Sequence, residues 1–85
     1  MPYTRVYSPE SLAVAMLSAR KKKKMTQTEA GDLVGVLQKT VSAFENNPST
    51  TKLHTLFSLL AALNLDLYIT QRGHYPFSEK IEDQI

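Results

Sequence analysis

The chain has 85 residues, a formal net charge of +2 and no cysteine, and 42% of its residues are hydrophobic. This length allows one small domain with a core of a few helices and no deep catalytic cleft. The lack of cysteine excludes disulfides and thiolate zinc sites, as expected in a reducing cytoplasm. The sequence has no 18-residue apolar run and no signal peptide, which predicts a cytoplasmic protein that neither spans nor crosses a membrane. Because the charge is modest, a nucleic-acid partner would depend on where the cations lie.

The first predicted helix follows a short extended segment at residues 3–7. Ser8 is placed to cap this helix, and Pro9 suits its first turn because a missing N–H costs nothing there. The helix ends in the basic run at residues 20–24. Two interpretations of this run remain open: a solvated helix end, or a phosphate clamp to which Arg20 and Lys24 contribute most.

Residues 27–46 predict a helix-turn-helix, two short helices joined by a tight turn. Thr26 and Glu29 have the spacing of a capping box at the start of the first helix. Gly31 falls where the two helices cross, and Gly35 falls in the turn, where a positive φ is needed. The predicted inward side chains are Val34, Val36, Val41 and Phe44, and the predicted outward ones are Gln38, Lys39, Ser42 and Ala43.

A further helix is predicted at residues 52–63, with Thr50 or Thr51 as its cap and Asn64 closing its end. Leu59 lies outside its predicted apolar stripe and is interpreted either as a routine exposed leucine or as part of an interface. The stripe that should face the core consists of Leu53, Leu56, Phe57, Leu60 and Leu63.

Residues 65–71 change to a period of two, which predicts a strand. A lone strand leaves its backbone unpaired, so its partner must be residues 3–7 or a second copy of this strand. We predict the second copy, and therefore a homodimer. The helix-turn-helix domain then spans residues 1–71, and residues 72–85 form a flexible tail. The predicted dimerisation residues are Leu65, Leu67, Tyr68 and Ile69.

No constellation for catalysis is recognisable in the sequence. His54 and His74 lack neighbours at metal-ligand spacing, and no phosphate loop or nucleophile elbow is present. We therefore expect a protein that is not an enzyme and needs no cofactor or metal.

The helix-turn-helix resembles that of the phage-repressor-like family, whose motif reads roughly TQxxLAxxxGxxQxTxSxxE. Residues 7–9 and 44–48, together with the helix-then-strand ending, resemble the HipB antitoxins in particular. This resemblance covers residues 3–71. Ala30 and Gly31 depart from the family's Leu and Ala, and Leu37 stands where a polar residue usually opens the recognition helix. The resemblance implies an all-α, lambda-repressor-like bundle with a C-terminal strand that pairs across a dimer.

By resemblance, the protein binds a palindromic operator in double-stranded DNA, represses its own operon on the bacterial nucleoid, and binds a HipA-type kinase toxin. Gln38 would pair with adenine, and Gln27 would contact a phosphate or buttress Gln38. The alternative is an interaction module that mainly neutralises the toxin, with DNA binding secondary; an RNA-binding domain is a weaker third reading. The remaining implied DNA-binding residues are Leu37, Lys39, Thr40, Ser42, Ala43, Lys24 and Lys52.

Overall fold

The computed structural model describes residues 3–73, and these residues form four α-helices and one 3₁₀ turn. Helix α2 packs against α3 and α4, while α1 packs against α3 and the 3₁₀ turn. The all-α prediction is confirmed, and no helix in this part of the chain is long and apolar enough to cross a membrane. The helices are α1 (Pro9–Lys22), α2 (Gln27–Asp32), α3 (Gln38–Asn46) and α4 (Leu53–Ala62), with the 3₁₀ turn at Pro48–Thr50.

The starts of α1 and α2 are closed by side-chain caps, as the sequence predicts. The Thr26 hydroxyl accepts a hydrogen bond from Glu29 N at 3.0 Å, and the Glu29 carboxylate accepts one from Thr26 N at 2.8 Å. Ser8 and Ser11 make the same reciprocal pair at the start of α1, with Pro9 in the first turn. Each pair satisfies two backbone N–H groups that the helix itself leaves unbonded.

The end of α1 turns sharply through Lys24, which has φ 57°. Lys24 N donates to Lys21 O at 2.9 Å, and Met25 N donates to Arg20 O at 3.2 Å, which is the bond pattern of a Schellman motif. The left-handed conformation usually falls to glycine or asparagine at this position. The basic run therefore ends in a fixed turn that directs the chain into α2.

Gly31 lies at the closest approach between α2 and the turn that leads to α3. A Cβ atom on this residue would overlap the Val36 carbonyl oxygen and lie 3.2 Å from Val41 Cγ2. Gly35 in the same turn has φ 70°, as predicted. Both glycine predictions are confirmed, because one position has no room for a side chain and the other has a backbone that disfavours one.

The predicted inward face of α4 is correct at Leu56, Leu60 and Leu63 and wrong at three other positions. Leu59 is buried, whereas Leu53 and Phe57 are exposed. The leucine-rich stretch carries two overlapping stripes of the same period, and the sequence alone does not distinguish them. The core of the described chain consists of Ala13, Met16, Ala30, Val41, Phe44, Leu59, Leu60 and Leu63.

The boundaries of α4 also differ in part from the prediction. Neither Thr50 nor Thr51 caps it; Lys52 is its N-cap and makes no side-chain capping bond. Asn64 does close the other end, with φ 57° and its N–H donated to Ala61 O at 3.0 Å. The threonines do not cap because the chain turns through Pro48–Thr50 and α4 begins only at Leu53, one residue after the predicted start.

The predicted strand at residues 65–71 is not present within residues 3–73, which contain no strand. Residues 3–7 form no strand either, so the rival strand pairing inside one chain is also absent from the described residues. Alternating hydrophobicity sets which side chains share a face, but a strand also needs a neighbouring backbone to bond with. Of the predicted tail at residues 72–85, all but Arg72 and Gly73 lies outside the described residues.

Replacing Gly31 with alanine should destabilise the fold, although alanine is normally the better helix former. The new methyl group must displace the Val36 carbonyl or separate α2 from α3, and such overpacking costs about 1–3 kcal/mol. Urea unfolding followed by circular dichroism measures the loss. Thr28→Ala, an exposed change in the same helix, is the control and should not lower stability. Equal stability of Gly31→Ala and wild type would contradict the close approach.

Candidate nucleic-acid interface

The N-terminal half of α3 presents a solvent-facing edge that is mainly polar. Gln38, Lys39 and Ala43 are exposed, and Thr40 and Ser42 are half-buried, because the opposite side of the helix is anchored in the core by Val41 and Phe44. The outward prediction for these side chains is confirmed in direction. One helix therefore carries a core face and a free face of the width that a major groove admits.

A polar network connects three helices behind this edge. Arg20 of α1 forms an ion pair with Glu45 of α3, with Nε–Oε2 at 2.7 Å and Nη2–Oε1 at 2.9 Å. Gln27 of α2 donates to the same carboxylate oxygen Oε1 at 2.9 Å. Gln38 Nε2 then donates to Gln27 Oε1 at 2.6 Å. The exposed Gln38 is thereby connected through one other side chain to a buried carboxylate.

The carboxylate determines which way both amides point. An ionised carboxylate only accepts hydrogen bonds, so Gln27 must turn its NH₂ group toward Glu45 and its carbonyl oxygen toward Gln38. Gln38 in turn must give that oxygen one of its own N–H groups. Its second N–H and its carbonyl oxygen remain for a ligand. A donor and an acceptor side by side is the pattern that matches the adenine edge in the major groove.

Arg20, one of the two residues favoured for the phosphate clamp, is buried and bonded within the domain. The residue is only 8% exposed, and its third donor group, Nη1, bonds Met25 O at 2.6 Å. Its guanidinium is occupied by the carboxylate and by the turn that follows α1. The sequence shows one cationic run, but the first cation of that run faces inward while Lys21, Lys22, Lys23 and Lys24 are exposed.

The other predicted site residues lie outside this network. Lys24 is exposed in the turn before α2, and Lys52 is exposed at the start of α4. Asn46 was not predicted as a site residue; its Nδ2 donates to Ser42 O at 2.9 Å and to Ser42 Oγ at 3.2 Å. The spacing of four residues from Ser42 was the available signal, since residues i and i+4 share a helix face.

Neighbouring charges and hydrogen bonds hold the ion pair in its charged form. Burial acts to raise the pKa of Glu45, but the hydrogen bonds from Arg20 and Gln27 and the charges of Arg20 and Lys21 outweigh it, so the pKa of Glu45 lies below its usual 4.5. The hydrogen bond to Glu45 raises the pKa of Arg20, against a desolvation effect that lowers it. In the folded domain near neutral pH, Glu45 is therefore ionised and accepts hydrogen bonds only.

Comparison with known proteins agrees with this architecture. The sequence model of the helix-turn-helix family matches residues 16–69. Antitoxin HipB of Escherichia coli K12 and that of Escherichia coli O6:H1 (strain CFT073) are each 42% identical to this chain over 67 residues, covering 79% of it and 76% and 71% of their own lengths. The chain belongs to the HipB antitoxin family.

Solved HipB structures share the fold of this chain. The HipB–O4 20mer complex has a TM-score of 0.79 and 39% identity, covering 81% of this chain and 97% of the HipB chain. The HipA–HipB–O2–O3 complex gives the same four values. The resemblance to HipB antitoxins is therefore confirmed in both sequence and fold. Within residues 3–73 of this HipB-family chain, no cluster of His, Asp or Glu side chains could hold a metal ion.

Breaking the ion pair should destabilise this HipB-family domain more than replacing it. Glu45→Gln leaves the buried guanidinium without its anion, which costs about 3–5 kcal/mol, whereas Arg20→Met combined with Glu45→Leu removes both charges and should cost much less. Urea unfolding of the three proteins at pH 7 tests the order. A Glu45→Gln variant as stable as wild type would contradict it.

The same variants test the acid dependence. Because the folded pKa of Glu45 is lowered, its stabilising contribution is complete above about pH 4.5 and disappears as the pH falls through the folded value. The stability difference between wild type and the double variant should therefore shrink in that acidic range and stay constant between pH 6 and 8. A difference independent of pH below 4.5 would show that the carboxylate is not paired in solution.

Proposed function

We propose that this chain is a DNA-binding transcriptional repressor and antitoxin that binds a palindromic operator as a homodimer and also binds a HipA-type kinase. The observation that carries the DNA-binding part is the free edge of α3, on which Gln38 is oriented by Gln27 and Glu45. HipB relatives solved in an O4 20mer complex and in a HipA–HipB–O2–O3 complex support it.

Recognition of bases is assigned to the N-terminal part of α3. With α3 in the major groove, the free N–H of Gln38 donates to adenine N7 and its carbonyl oxygen accepts from adenine N6. Gln27 acts as the buttress of this contact, because its carbonyl oxygen is already bonded to Gln38. Lys39 reaches a guanine or a phosphate, and Ser42 and Ala43 face the groove one turn further on.

Phosphate contacts position the domain on the duplex. Lys24 and Lys52 are exposed at the N-terminal sides of α2 and α4. Thr40 is half-buried in α3, and its hydroxyl can donate a hydrogen bond to a phosphate oxygen of the DNA backbone. Contacts of this kind fix register and carry no sequence information. The proposed role is binding rather than catalysis and needs no cofactor, and the proposed location is the cytoplasm, on the nucleoid.

Dimer formation is assigned to the segment that follows α4. Ile69 is 97% exposed, and Tyr68 and Leu67 are exposed beside it. Three consecutive large hydrophobic side chains in contact with water are unfavourable for an isolated chain and indicate an interaction site. Leu65 is partly buried against its own core, so it contributes less to the interface than predicted. A second copy of residues 66–70 would cover these side chains, and its two-fold axis would match a palindromic operator.

The toxin-binding part of the proposal rests on family membership and on the HipA–HipB–O2–O3 complex. The alternative, an antitoxin that mainly neutralises a kinase with DNA binding secondary, predicts that wild type alone represses weakly and that a variant of the α3 edge still neutralises the kinase fully. Repression of a reporter operon by wild type and by a variant of the α3 edge, with and without the kinase, separates the two readings.

Replacing Gln38 with alanine should weaken binding to the cognate operator by about 1–3 kcal/mol and relax the preference at one base pair in each half-site. The measurement is competition binding against operators substituted one position at a time. Lys24→Gln is the matched control, since it should weaken binding to all duplexes equally and reduce the salt slope by about 0.9 for each phosphate that the lysine no longer neutralises. An unchanged base preference in Gln38→Ala would remove this residue from the reading set.

Proline at Tyr68 or Ile69 should dissociate the dimer and leave the helices folded. Proline removes a backbone N–H from the proposed ladder, and residues 68 and 69 lie outside all four described helices. Analytical ultracentrifugation should give a monomer, operator affinity should fall steeply, and helical circular dichroism should persist. Gln71→Pro, beyond the ladder proposed for residues 66–70, is the control. A wild-type chain that sediments as a monomer at tens of micromolar would exclude the dimer.

A further inference from the structure

Leu37 is placed where its side chain contributes nothing to the folded domain. It is the N-cap of α3, with φ −68° and ψ 149°, and it makes no side-chain capping bond. Serine, threonine, aspartate and asparagine are favoured at this position because their oxygens accept from the first N–H groups of the helix. Helices α1 and α2 both have such a cap. Leucine cannot make this stabilising hydrogen bond at the start of α3, the helix whose solvent-facing edge carries Gln38.

The leucine does not gain burial in exchange. Leu37 is 66% exposed, and it is not among the side chains that pack against the core. Val34 and Val36, on either side of Gly35, do pack there, so the turn already has its apolar anchors. A residue that departs from local preference without a gain in packing is a candidate for function.

Its place in the chain indicates which function. Leu37 directly precedes Gln38, and the N-terminal residues of a recognition helix are the ones that meet base edges. The side chain has no polar atom, so it can neither bond a phosphate nor pair with a donor or acceptor on a base. The one apolar group that the major-groove edges present is the C5 methyl of thymine.

We propose that Leu37 is a specificity-determining residue that contacts the C5 methyl group of one thymine in each half-site of the operator. The proposal rests on the proposed operator binding and assigns part of its sequence preference. If cytosine occupied this position, the leucine would cover the N4 amino group of the base and prevent that group from donating a hydrogen bond. Leucine therefore selects thymine both by what it contacts and by what it excludes.

Substitution of uracil for thymine tests the contact directly, because the two bases differ only in this methyl group. Wild-type protein first selects its operator from a random duplex library. Each thymine in one half-site is then replaced by deoxyuridine, and affinities are measured by competition. We expect one position at which uracil lowers affinity about fourfold, the loss that corresponds to one buried methyl group.

Three variants identify the residue responsible. Leu37→Ala should bind the thymine and uracil operators equally. Leu37→Ser should do the same and should also raise the melting temperature by about 4–8 °C, because serine caps the helix. A more stable protein that discriminates less is an outcome that a purely structural role would not produce. Leu33→Ala is the matched control, since Leu33 is 64% exposed in the same turn but lies outside α3, and it should keep the full preference.

Several results would overturn the inference. If wild type selects an operator but binds every uracil substitution as tightly as thymine, the methyl contact does not exist and the inference is wrong. If Leu37→Ala retains the fourfold preference, another residue reads the methyl. If wild type selects no operator from the library, the proposed operator binding and this inference both fail.

Discussion

The ion pair between Arg20 and Glu45 is the interaction on which the rest of the structure depends. It joins α1 to α3, and the same guanidinium bonds the carbonyl of Met25 in the turn that leads to α2. Gln27 brings α2 to the same carboxylate. Three helices are thus held at one point by charge-assisted hydrogen bonds, which are shorter and stronger than neutral ones. The carboxylate that holds the helices together is also the group that orients Gln38.

Such a junction matters in a domain built from short helices. α2 has 6 residues and α3 has 9, and isolated helices of fewer than about 12 residues are marginal in water. Their stability must come from caps, from the close approach at Gly31 and from burial of Val41 and Phe44. The same contacts fix the tilt of α3. The orientation of its solvent-facing edge therefore depends on the contacts that stabilise the fold.

The features predicted from the sequence depend on neighbours a few residues away. The caps at Ser8 and Thr26 and the positive φ of Gly35 need only local backbone geometry, and the helix-turn-helix pattern combines several such signals. The burial of Arg20 was missed because it depends on a partner far along the chain. Arg20 is one of five consecutive cations, and only contact with Glu45, 25 residues later, distinguishes it from the lysines.

The errors in the C-terminal part have the same origin. Leu59 and Phe57 exchange places between core and surface because the two apolar stripes of α4 differ only in rotation, which the packing against α2 decides. The strand predicted at residues 65–71 had the right alternation, but residues 3–73 contain no strand for it to join. Periodicity reports which residues share a face, and it does not report what that face meets.

The hydrogen bond that ends α4 affects the concentration of antitoxin at which an operon would be switched off. Leu65 N–H is bonded to Leu60 O at 2.9 Å, so it is not available to a partner strand. A ladder between two copies can then take N–H donors only from Asp66 onward, and residues 66–70 span about 16 Å. In the proposed dimer, so short a ladder would make few backbone bonds, and association would rest mainly on the side chains at its centre. Operator occupancy would then rise with the square of the free monomer concentration, which turns a modest fall in antitoxin into a sharp release of transcription.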